Sequence, residues 1–217
     1  MWAIVFLVAL GVAAIFNLVG NLRSQRKIIF ASKPLLMPFI IGFYIASTAS
    51  VDWLIVIALL FGLGGDIILL WKDTSQKSFP AGLLSFLIGH VCYIIAFGMS
   101  TGFFSTWQWW FIFFVVLYVL AAWGLYRMLR AELGTMKVPV IVYMAALLAM
   151  SMFALSRMFV YSGFAFWLVF TGSILFVISD TTLGIEHFKK HDEFLHGTVV
   201  MATYILAQLF IAAGFII

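Results

Sequence analysis

Residues 53–71 read WLIVIALLFGLGGDIILLW, an apolar run in which Asp66 is the one charged side chain. A helix that crosses the hydrocarbon core of a bilayer needs about 20 predominantly apolar residues. The length and composition of this run therefore predict a transmembrane helix. A charged group inside a bilayer is costly even on the mildest insertion scales, so the run also contains a candidate functional residue.

The rest of the chain has a similar composition. Of its 217 residues, 65% are hydrophobic and 9% are charged, against roughly 25% charged in soluble domains. This composition excludes a soluble fold, and the length accommodates about eight spans with short connections. We predict an all-α polytopic membrane protein, a single domain over 1–217, with spans at 2–22, 34–50, 53–71, 79–100, 107–126, 138–156, 162–185 and 195–217.

Two local signals support these boundaries. Pro34, Pro80 and Pro139 fall at the starts of the second, fourth and sixth spans, where the missing N–H of proline costs nothing. The first apolar stretch lacks the basic segment that precedes a cleavable signal sequence, so we interpret residues 2–22 as the first span.

The charged residues predict the topology. Connections after odd-numbered spans hold all Lys and Arg residues except Arg157, so the positive-inside rule makes these connections cytoplasmic and puts both termini on the other side. The rule favours a bacterial inner membrane, although an endoplasmic reticulum protein would obey it too. Topology accounts for the net charge of +4, so we expect membrane lipids and no nucleic acid as partners. The cytoplasmic set is Arg23, Arg26, Lys27, Lys33, Lys72, Lys77, Arg127, Arg130, Lys137, Lys189 and Lys190.

Two carboxylates, Asp66 and Asp180, lie well inside apolar spans. Each precedes the predicted cytoplasmic end of its span by five residues, which corresponds to a shared depth of about 8 Å. A single membrane carboxylate is often a hydrogen-bond partner of a neighbouring helix. Two carboxylates at a matched depth instead favour a functional role, because each adds its own insertion cost.

Polar side chains of four other spans reach the same cytoplasmic half. Together with the two aspartates they predict one polar cavity that opens toward the cytoplasmic leaflet. For the small polar residues we favour the alternative that they form hydrogen bonds between helices. For His90 the sequence supports a packing role and a site role equally. These side chains are Asn17 in the first span, His90 and Tyr93 in the fourth, Tyr143 in the sixth, and Tyr204 and Gln208 in the last.

Three other features are weaker. A histidine-rich segment after the seventh span has metal-ligand spacing, but its polar, Lys-containing context favours a solvated loop, and we predict no metal. Lys33 either flanks its span as a topology signal or holds a lipid phosphate at the cavity mouth. Cys92, the single cysteine, is expected in the core. The histidine-rich segment contains Glu186, His187, His191, Asp192 and His196.

The two halves of the chain show a weak internal repeat. His90 follows Asp66 by 24 residues, and Tyr204 follows Asp180 by 24. Two parallel four-helix halves, at 1–100 and 107–217, would produce this spacing. In that arrangement both aspartate-bearing helices run from the outside to the inside.

At these residues the chain resembles the YhhN family of integral membrane proteins, whose animal members are lysoplasmalogenases. The resemblance covers essentially the whole chain. It implies hydrolysis of the vinyl ether bond of a lysoplasmalogen to a fatty aldehyde and a glycerophospho-base. The motifs that carry it are Lys33-Pro34, Gly65-Asp66, Gly89-His90 with Tyr93, Ser179-Asp180, and Tyr204 with Gln208.

Vinyl ether cleavage suits a pair of carboxylates. Protonation of the β-carbon leaves an oxocarbenium ion that water captures, which requires a general acid, a stabilising anion and a water, and no metal or other cofactor. Two nearby carboxylates cannot both ionise cheaply, so one is expected to stay protonated near pH 7. We predict Asp66, Asp180 and His90 as catalytic residues, and Asn17, Lys33, Tyr93, Tyr143, Ser179, Tyr204 and Gln208 as substrate-binding residues.

In this interpretation the lipid tail lies in the apolar outer half and the headgroup lies near Lys33. The alternative is a proton-coupled transporter or lipid translocator that uses Asp66, His90 and Asp180 as a relay. A transporter also needs a polar route to the outer face, for which Thr171 and Ser173 are the only candidates on the seventh span. The sequence leaves the oligomeric state and the natural lipid open.

Overall fold

The computed structural model describes residues 1–71, 74–102, 109–161, 163–189 and 193–217. These residues form eight α-helices and three short 3₁₀ turns, and no strand occurs among them. The predicted all-α fold is thus confirmed. The helices are α1 (Trp2–Leu22), α2 (Arg26–Ser47), α3 (Trp53–Leu69), α4 (Ser78–Thr101), α5 (Ile112–Leu129), α6 (Lys137–Ser156), α7 (Phe164–Lys189) and α8 (Glu193–Gly214).

The helices have the lengths that a bilayer requires. Seven helical segments of the described chain are long and apolar enough to cross a membrane, and α3 is an apolar helix of 17 residues. At 1.5 Å per residue, α3 is about 26 Å long, close to the thickness of the hydrocarbon core. The chain is therefore an integral multi-pass membrane protein.

The start of the second span differs from the prediction. Helix α2 begins at Arg26, so Pro34 and Pro38 lie inside it rather than in its first turn. Proline is tolerated inside membrane helices, because neighbouring helices and local adjustments satisfy the freed backbone groups. As a consequence, Lys33 is a helical residue that projects between helices, with 13% of its side chain exposed.

Two helix pairs, α3 with α4 and α7 with α8, pack most closely. Glycine makes the second approach possible. A Cβ on Gly172 would lie 2.9 Å from the carbonyl oxygen of Ala207, and one on Gly214 would lie 2.9 Å from the carbonyl oxygen of Ala165. Small residues at such contacts let helix backbones approach closely, which is the main source of helix association in a bilayer.

We expect Gly172→Ala to lower the free energy of unfolding by about 1–3 kcal/mol, because the new methyl group forces α7 and α8 apart. The thermal unfolding midpoint of the purified protein in detergent measures this. Gly124→Ala in α5 is the matched control, because no atom lies within 4 Å of a Cβ built there. Equal midpoints for the two variants would show that the close approach contributes nothing.

The ends of the helices on the side of the two chain termini include a buried cation that the sequence did not predict. Arg157 is 1% exposed and donates to the hydroxyl of Ser100 at 2.6 Å. Its guanidinium lies 4.0 Å from the ring centre of Tyr161 and 4.2 Å from that of Phe215. These contacts tie together the ends of α4, α6 and α8, so this end of the bundle is closed by packing. The orientation of the termini stays a prediction.

Candidate active site

Helices α2 and α3 place Lys33 against Asp66. The ammonium nitrogen of Lys33 is 3.4 Å from Oδ1 of Asp66, whose side chain is 2% exposed. The longer α2 makes this pair possible, because its eighth residue is Lys33. The other carboxylate oxygen of Asp66, Oδ2, has no hydrogen-bond partner. The pair thus combines a nearby cation with an oxygen that is still able to accept a hydrogen bond.

Helix α8 presents polar groups to the same region. The hydroxyl of Tyr204 is close enough to Asp66 to interact with it, but the two groups do not meet in hydrogen-bonding geometry. Gly62 lies one turn before Asp66, and a Cβ on it would be 3.0 Å from both the Tyr204 hydroxyl and Nε2 of Gln208. The carbonyl oxygen of Gln208 accepts a hydrogen bond from the hydroxyl of Tyr93. We call Lys33, Asp66, Tyr204 and Gln208 the lysine cluster.

Asp180 lies in a second group of polar side chains. Its Oδ2 accepts a hydrogen bond from the hydroxyl of Tyr143 and is 3.4 Å from Nε2 of His90. The same histidine nitrogen is 3.2 Å from the Tyr143 hydroxyl. His90 is 1% exposed and Tyr143 is 6% exposed. Helices α4, α6 and α7 therefore hold one carboxyl group, one imidazole and one phenol together, and we call these three the histidine cluster.

The ring of Phe176 lies between the two clusters. Its centre is 4.8 Å from that of His90 and 5.5 Å from that of Tyr204, in edge-to-face contact with both. Asp66 and Asp180 each have their own set of partners. The sequence placed the two carboxylates at one depth, and the structure gives them different partners, with the Phe176 ring packed between His90 and Tyr204.

Two other predicted site residues take part in packing contacts. Asn17 in α1 donates to the hydroxyl of Ser32 in α2 at 3.1 Å. Ser179 in α7 donates to the carbonyl of Val200 in α8 at 3.0 Å. These bonds agree with the alternative interpretation of the sequence, in which small polar residues hydrogen-bond between helices. A role for Asn17 or Ser179 in substrate binding stays a prediction.

A polar cavity of about 220 Å³ opens beside the lysine cluster. Lys33 and Arg26 supply positive charge to its wall, and Glu186 supplies negative charge. Lysine and arginine are the residues that bind phosphate groups most often. The cavity lies between the cytoplasmic ends of the helices if the predicted topology holds. Its other lining residues include Asn21, Ser24, Phe30, Leu69, Leu183 and Met201.

An apolar groove of about 40 Å³ lies beside the histidine cluster. Asp180 and Tyr143 reach its wall, and the rest of the wall is almost entirely aliphatic and aromatic. Leu183 lines both the groove and the polar cavity. The sequence predicted one polar cavity, whereas the described residues form two compartments of opposite character that share a wall. The groove is also lined by Phe79, Leu125, Leu129, Val140, Met144, Leu147 and Phe188.

The histidine-rich segment is described only in part. His191 and Asp192 lie outside the described residues, and so does the side chain of His196. His187 stacks on Phe79 with 3.5 Å between ring centres, beside the mouth of the apolar groove. No group of three potential metal ligands occurs in the part of the chain that the structure describes.

Sequence reasoning missed Arg26, Gly62 and Phe176. Arg26 was assigned to a connection. Gly62 precedes Asp66 by four residues and Phe176 precedes Asp180 by four, so each lies one helical turn before its aspartate and on the same face. Extending the comparison of the two aspartates by one turn toward the start of each helix would have pointed to both positions.

Comparison with known proteins agrees with the resemblance seen in the sequence. The YhhN family model matches residues 28–215. Lysoplasmalogenase TMEM86A of Bos taurus is 30% identical over 166 residues, which cover 73% of this chain and 63% of the bovine protein. The aligned region thus spans less than two thirds of that relative. No solved structure matches the chain.

Proposed function

This chain belongs to the YhhN family, and we propose that it is an intramembrane hydrolase that cleaves the vinyl ether bond of a lysoplasmalogen. The observation that carries the proposal is the position of the histidine cluster. It brings a carboxyl group to the wall of an apolar groove whose neighbour is a polar, partly cationic cavity. A single-chain phospholipid has this division of character, with a phosphate at one end and an alkenyl chain at the other.

The two compartments suggest how the lipid binds. The phosphate lies in the polar cavity near Lys33 and Arg26, where charge-assisted hydrogen bonds hold it. The alkenyl chain enters the apolar groove past Leu183 and Asp180. This replaces the earlier expectation that the tail occupies the outer half, because the groove is lined by the first turns of α4 and α6 and the last turns of α5 and α7.

The neighbours of each aspartate suggest its role. Oδ1 of Asp66 lies 3.4 Å from the ammonium nitrogen of Lys33, and we assign Asp66 as the anion that stabilises the oxocarbenium ion. Asp180 has no lysine or arginine partner in the described residues, and it faces an apolar wall. In the proposed complex the alkenyl chain lies against this wall, so the carboxyl group of Asp180 is the one next to the double bond. Asp180 is therefore the general acid.

His90 and Tyr143 position that acid. Both reach Oδ2 of Asp180, which leaves the proton on Oδ1 for the substrate. The carboxyl proton of Asp180 is transferred to the β-carbon, the π electrons of the double bond form the new C–H bond, and the ether oxygen shares the positive charge with the α-carbon.

The experiment is an assay of purified protein in lipid nanodiscs with a lysoplasmalogen. We expect release of a fatty aldehyde, measured by its reduction in a coupled NADH assay. The control lipid carries a saturated ether at the same position. It cannot be protonated to an oxocarbenium ion, and we expect no product from it. Absence of aldehyde from the vinyl ether would contradict the proposal.

The transporter alternative makes a different prediction for the same preparation. It expects substrate-driven proton movement across proteoliposomes without cleavage of a bond. Its route to the outer face has little support, because Ser173 is bonded to Ser151 at 3.0 Å and Thr171 is exposed on the surface of α7. The buried, aromatic-flanked Arg157 closes the same end of the bundle.

A further inference from the structure

Two buried polar atoms of the lysine cluster lack a hydrogen-bond partner. They are Oδ2 of Asp66 and the hydroxyl oxygen of Tyr204. Asp66 is 2% exposed and Tyr204 is 3% exposed, so neither side chain lies at the protein surface. Most buried polar groups in proteins are paired, and a neighbouring pair that is not paired points to a ligand that both groups bind.

A third polar group lies beside these two. The Tyr93 hydroxyl donates to the carbonyl oxygen of Gln208, which fixes the orientation of the amide. Its nitrogen Nε2 then faces Gly62, as the Tyr204 hydroxyl does. Gly62 and Asp66 are one turn apart on the same face of α3. An acceptor, a hydroxyl and an amide donor therefore converge beside Gly62.

Glycine at position 62 places no side chain against these groups. A methyl group there would lie 3.0 Å from both the Tyr204 hydroxyl and Gln208 Nε2. The corresponding position of α7 holds Phe176, which fills the space between His90 and Tyr204. One aspartate is thus preceded by a bulky ring and the other by no side chain at all. Beside Asp66, therefore, no side chain of position 62 stands against the Tyr204 hydroxyl and the Gln208 amide.

We propose that Asp66, Tyr204 and Gln208 bind the water molecule that attacks the substrate, and that Gly62 keeps this position open. The inference rests on the proposed function. A water with two to four polar partners is stably held, and these three groups supply one strong acceptor, one donor and one group that is either. Asp66 then has two tasks, since it accepts a proton from water and faces the positive charge.

The step balances as follows. The water oxygen forms a bond to the α-carbon of the oxocarbenium ion, and the π electrons of the C=O⁺ bond return to the ether oxygen. The proton that water loses goes to Oδ2 of Asp66. The resulting hemiacetal gives its hydroxyl proton to the carboxylate of Asp180, and the electrons of that O–H bond form the aldehyde C=O bond while the bond between the α-carbon and the glycerol oxygen breaks. The glycerol oxygen takes up the proton held on Oδ2 of Asp66, so both carboxyl groups return to their starting states. The products are the aldehyde and the glycerophospho-base.

The histidine cluster is a poorer place for this water. The Tyr143 hydroxyl and His90 Nε2 are already directed to Oδ2 of Asp180 and to each other. Phe176 covers the side of His90 that faces Tyr204. The proposed reaction thus uses both clusters, with the acid in the histidine cluster and the water in the lysine cluster.

The test uses two variants. Tyr204→Phe removes one hydroxyl oxygen and keeps the ring packing on Phe86 and Phe176. Gly62→Ala adds one methyl group where the three polar groups converge. For each we expect kcat to fall by about 10²-fold, because the attacking water is misplaced, and KM to stay within about threefold. Gly124→Ala is the control for adding a methyl group to a helical glycine, and it keeps wild-type kinetics.

A combined variant separates packing from chemistry. In Gly62→Ala/Tyr204→Phe the new methyl group no longer meets the Tyr204 hydroxyl, and of its two 3.0 Å contacts only the one with Gln208 Nε2 remains. We expect its thermal unfolding midpoint to return toward the wild-type value while kcat stays low. If the combined variant regains kcat together with stability, Gly62 has a packing role only and the water assignment is wrong. The assignment is also wrong if both single variants keep wild-type kcat.

Failure of this inference is distinguishable from failure of the proposed function. If the wild-type protein releases no aldehyde from lysoplasmalogen, the proposed function itself is wrong. If the wild-type protein is active and the Tyr204 and Gly62 variants are equally active, only the location of the water is wrong.

Discussion

Asp180→Asn lowers kcat for vinyl ether cleavage by about 10²–10⁴-fold, the range expected when a general acid is removed. Asparagine has nearly the same shape as aspartic acid but no acidic proton to donate to the β-carbon. Tyr143 and His90 keep a polar partner at position 180, so we expect the variant to fold. The measurement is steady-state aldehyde release by the purified variant, with its thermal unfolding midpoint recorded alongside.

Thr182→Val provides the matched control for Asp180→Asn. Thr182 is in the same helix, and within the described part of the chain its hydroxyl donates to the carbonyl of Ile178 in its own helix and to no other group. It does not line the apolar groove among the described residues. We expect wild-type kinetics from this variant. Full activity of Asp180→Asn in a folded protein would remove Asp180 from the acid role.

The sequence predicted the helices well because composition alone determines them. Once charge is rare and 65% of the residues are hydrophobic, each run of about 20 apolar residues has one structure available in a bilayer. The start of α2 was the exception. Arg26, Lys27 and Lys33 were taken as marks of a connection, whereas long basic side chains extend from helix ends to the interface or toward a buried carboxylate.

The sequence predicted how deep the site residues lie in the membrane but not which helices their side chains face. Counting residues from a span boundary gives the level of Asp66 and Asp180, because the rise per residue is constant. It gives no information about which helix faces which, so the partners Lys33 for one aspartate and His90 for the other emerged only from the structure. The ring of Phe176 between the clusters is a packing feature that apolar patterning does not distinguish from ordinary core.

The contacts between residues of the two halves of the chain bear on the repeated 24-residue spacing in the sequence. His90 of α4 contacts Asp180 of α7, and Tyr204 of α8 lies beside Asp66 of α3. Each residue that follows an aspartate by 24 positions thus contacts the aspartate of the other half. Two four-helix halves related by a rotation would produce this exchange. The division into halves at 1–100 and 107–217 stays a prediction that the exchange supports.

Lys33→Met lowers the free energy of unfolding by about 3–5 kcal/mol, because it leaves the carboxylate of Asp66 buried without its cation. The same variant loses aldehyde release, since both the phosphate contact and the stabilising anion are disturbed. The loss of activity alone would not separate an unstable protein from a disabled site. The thermal unfolding midpoint and kcat are therefore measured on one preparation, with Lys27→Met, an exposed lysine of the same helix, as the control.

The double variant Lys33→Met/Asp66→Asn separates the effect on stability from the effect on activity. Replacing both members of a buried ion pair by neutral groups is often neutral for stability, whereas removing one member is not. We expect the double variant to unfold within about 1–2 kcal/mol of the wild-type protein and to release no aldehyde, because the anion that faces the oxocarbenium ion is gone. A stable double variant with full activity would show that the ion pair serves folding alone, and the stabilising anion would then have to be sought elsewhere in the site.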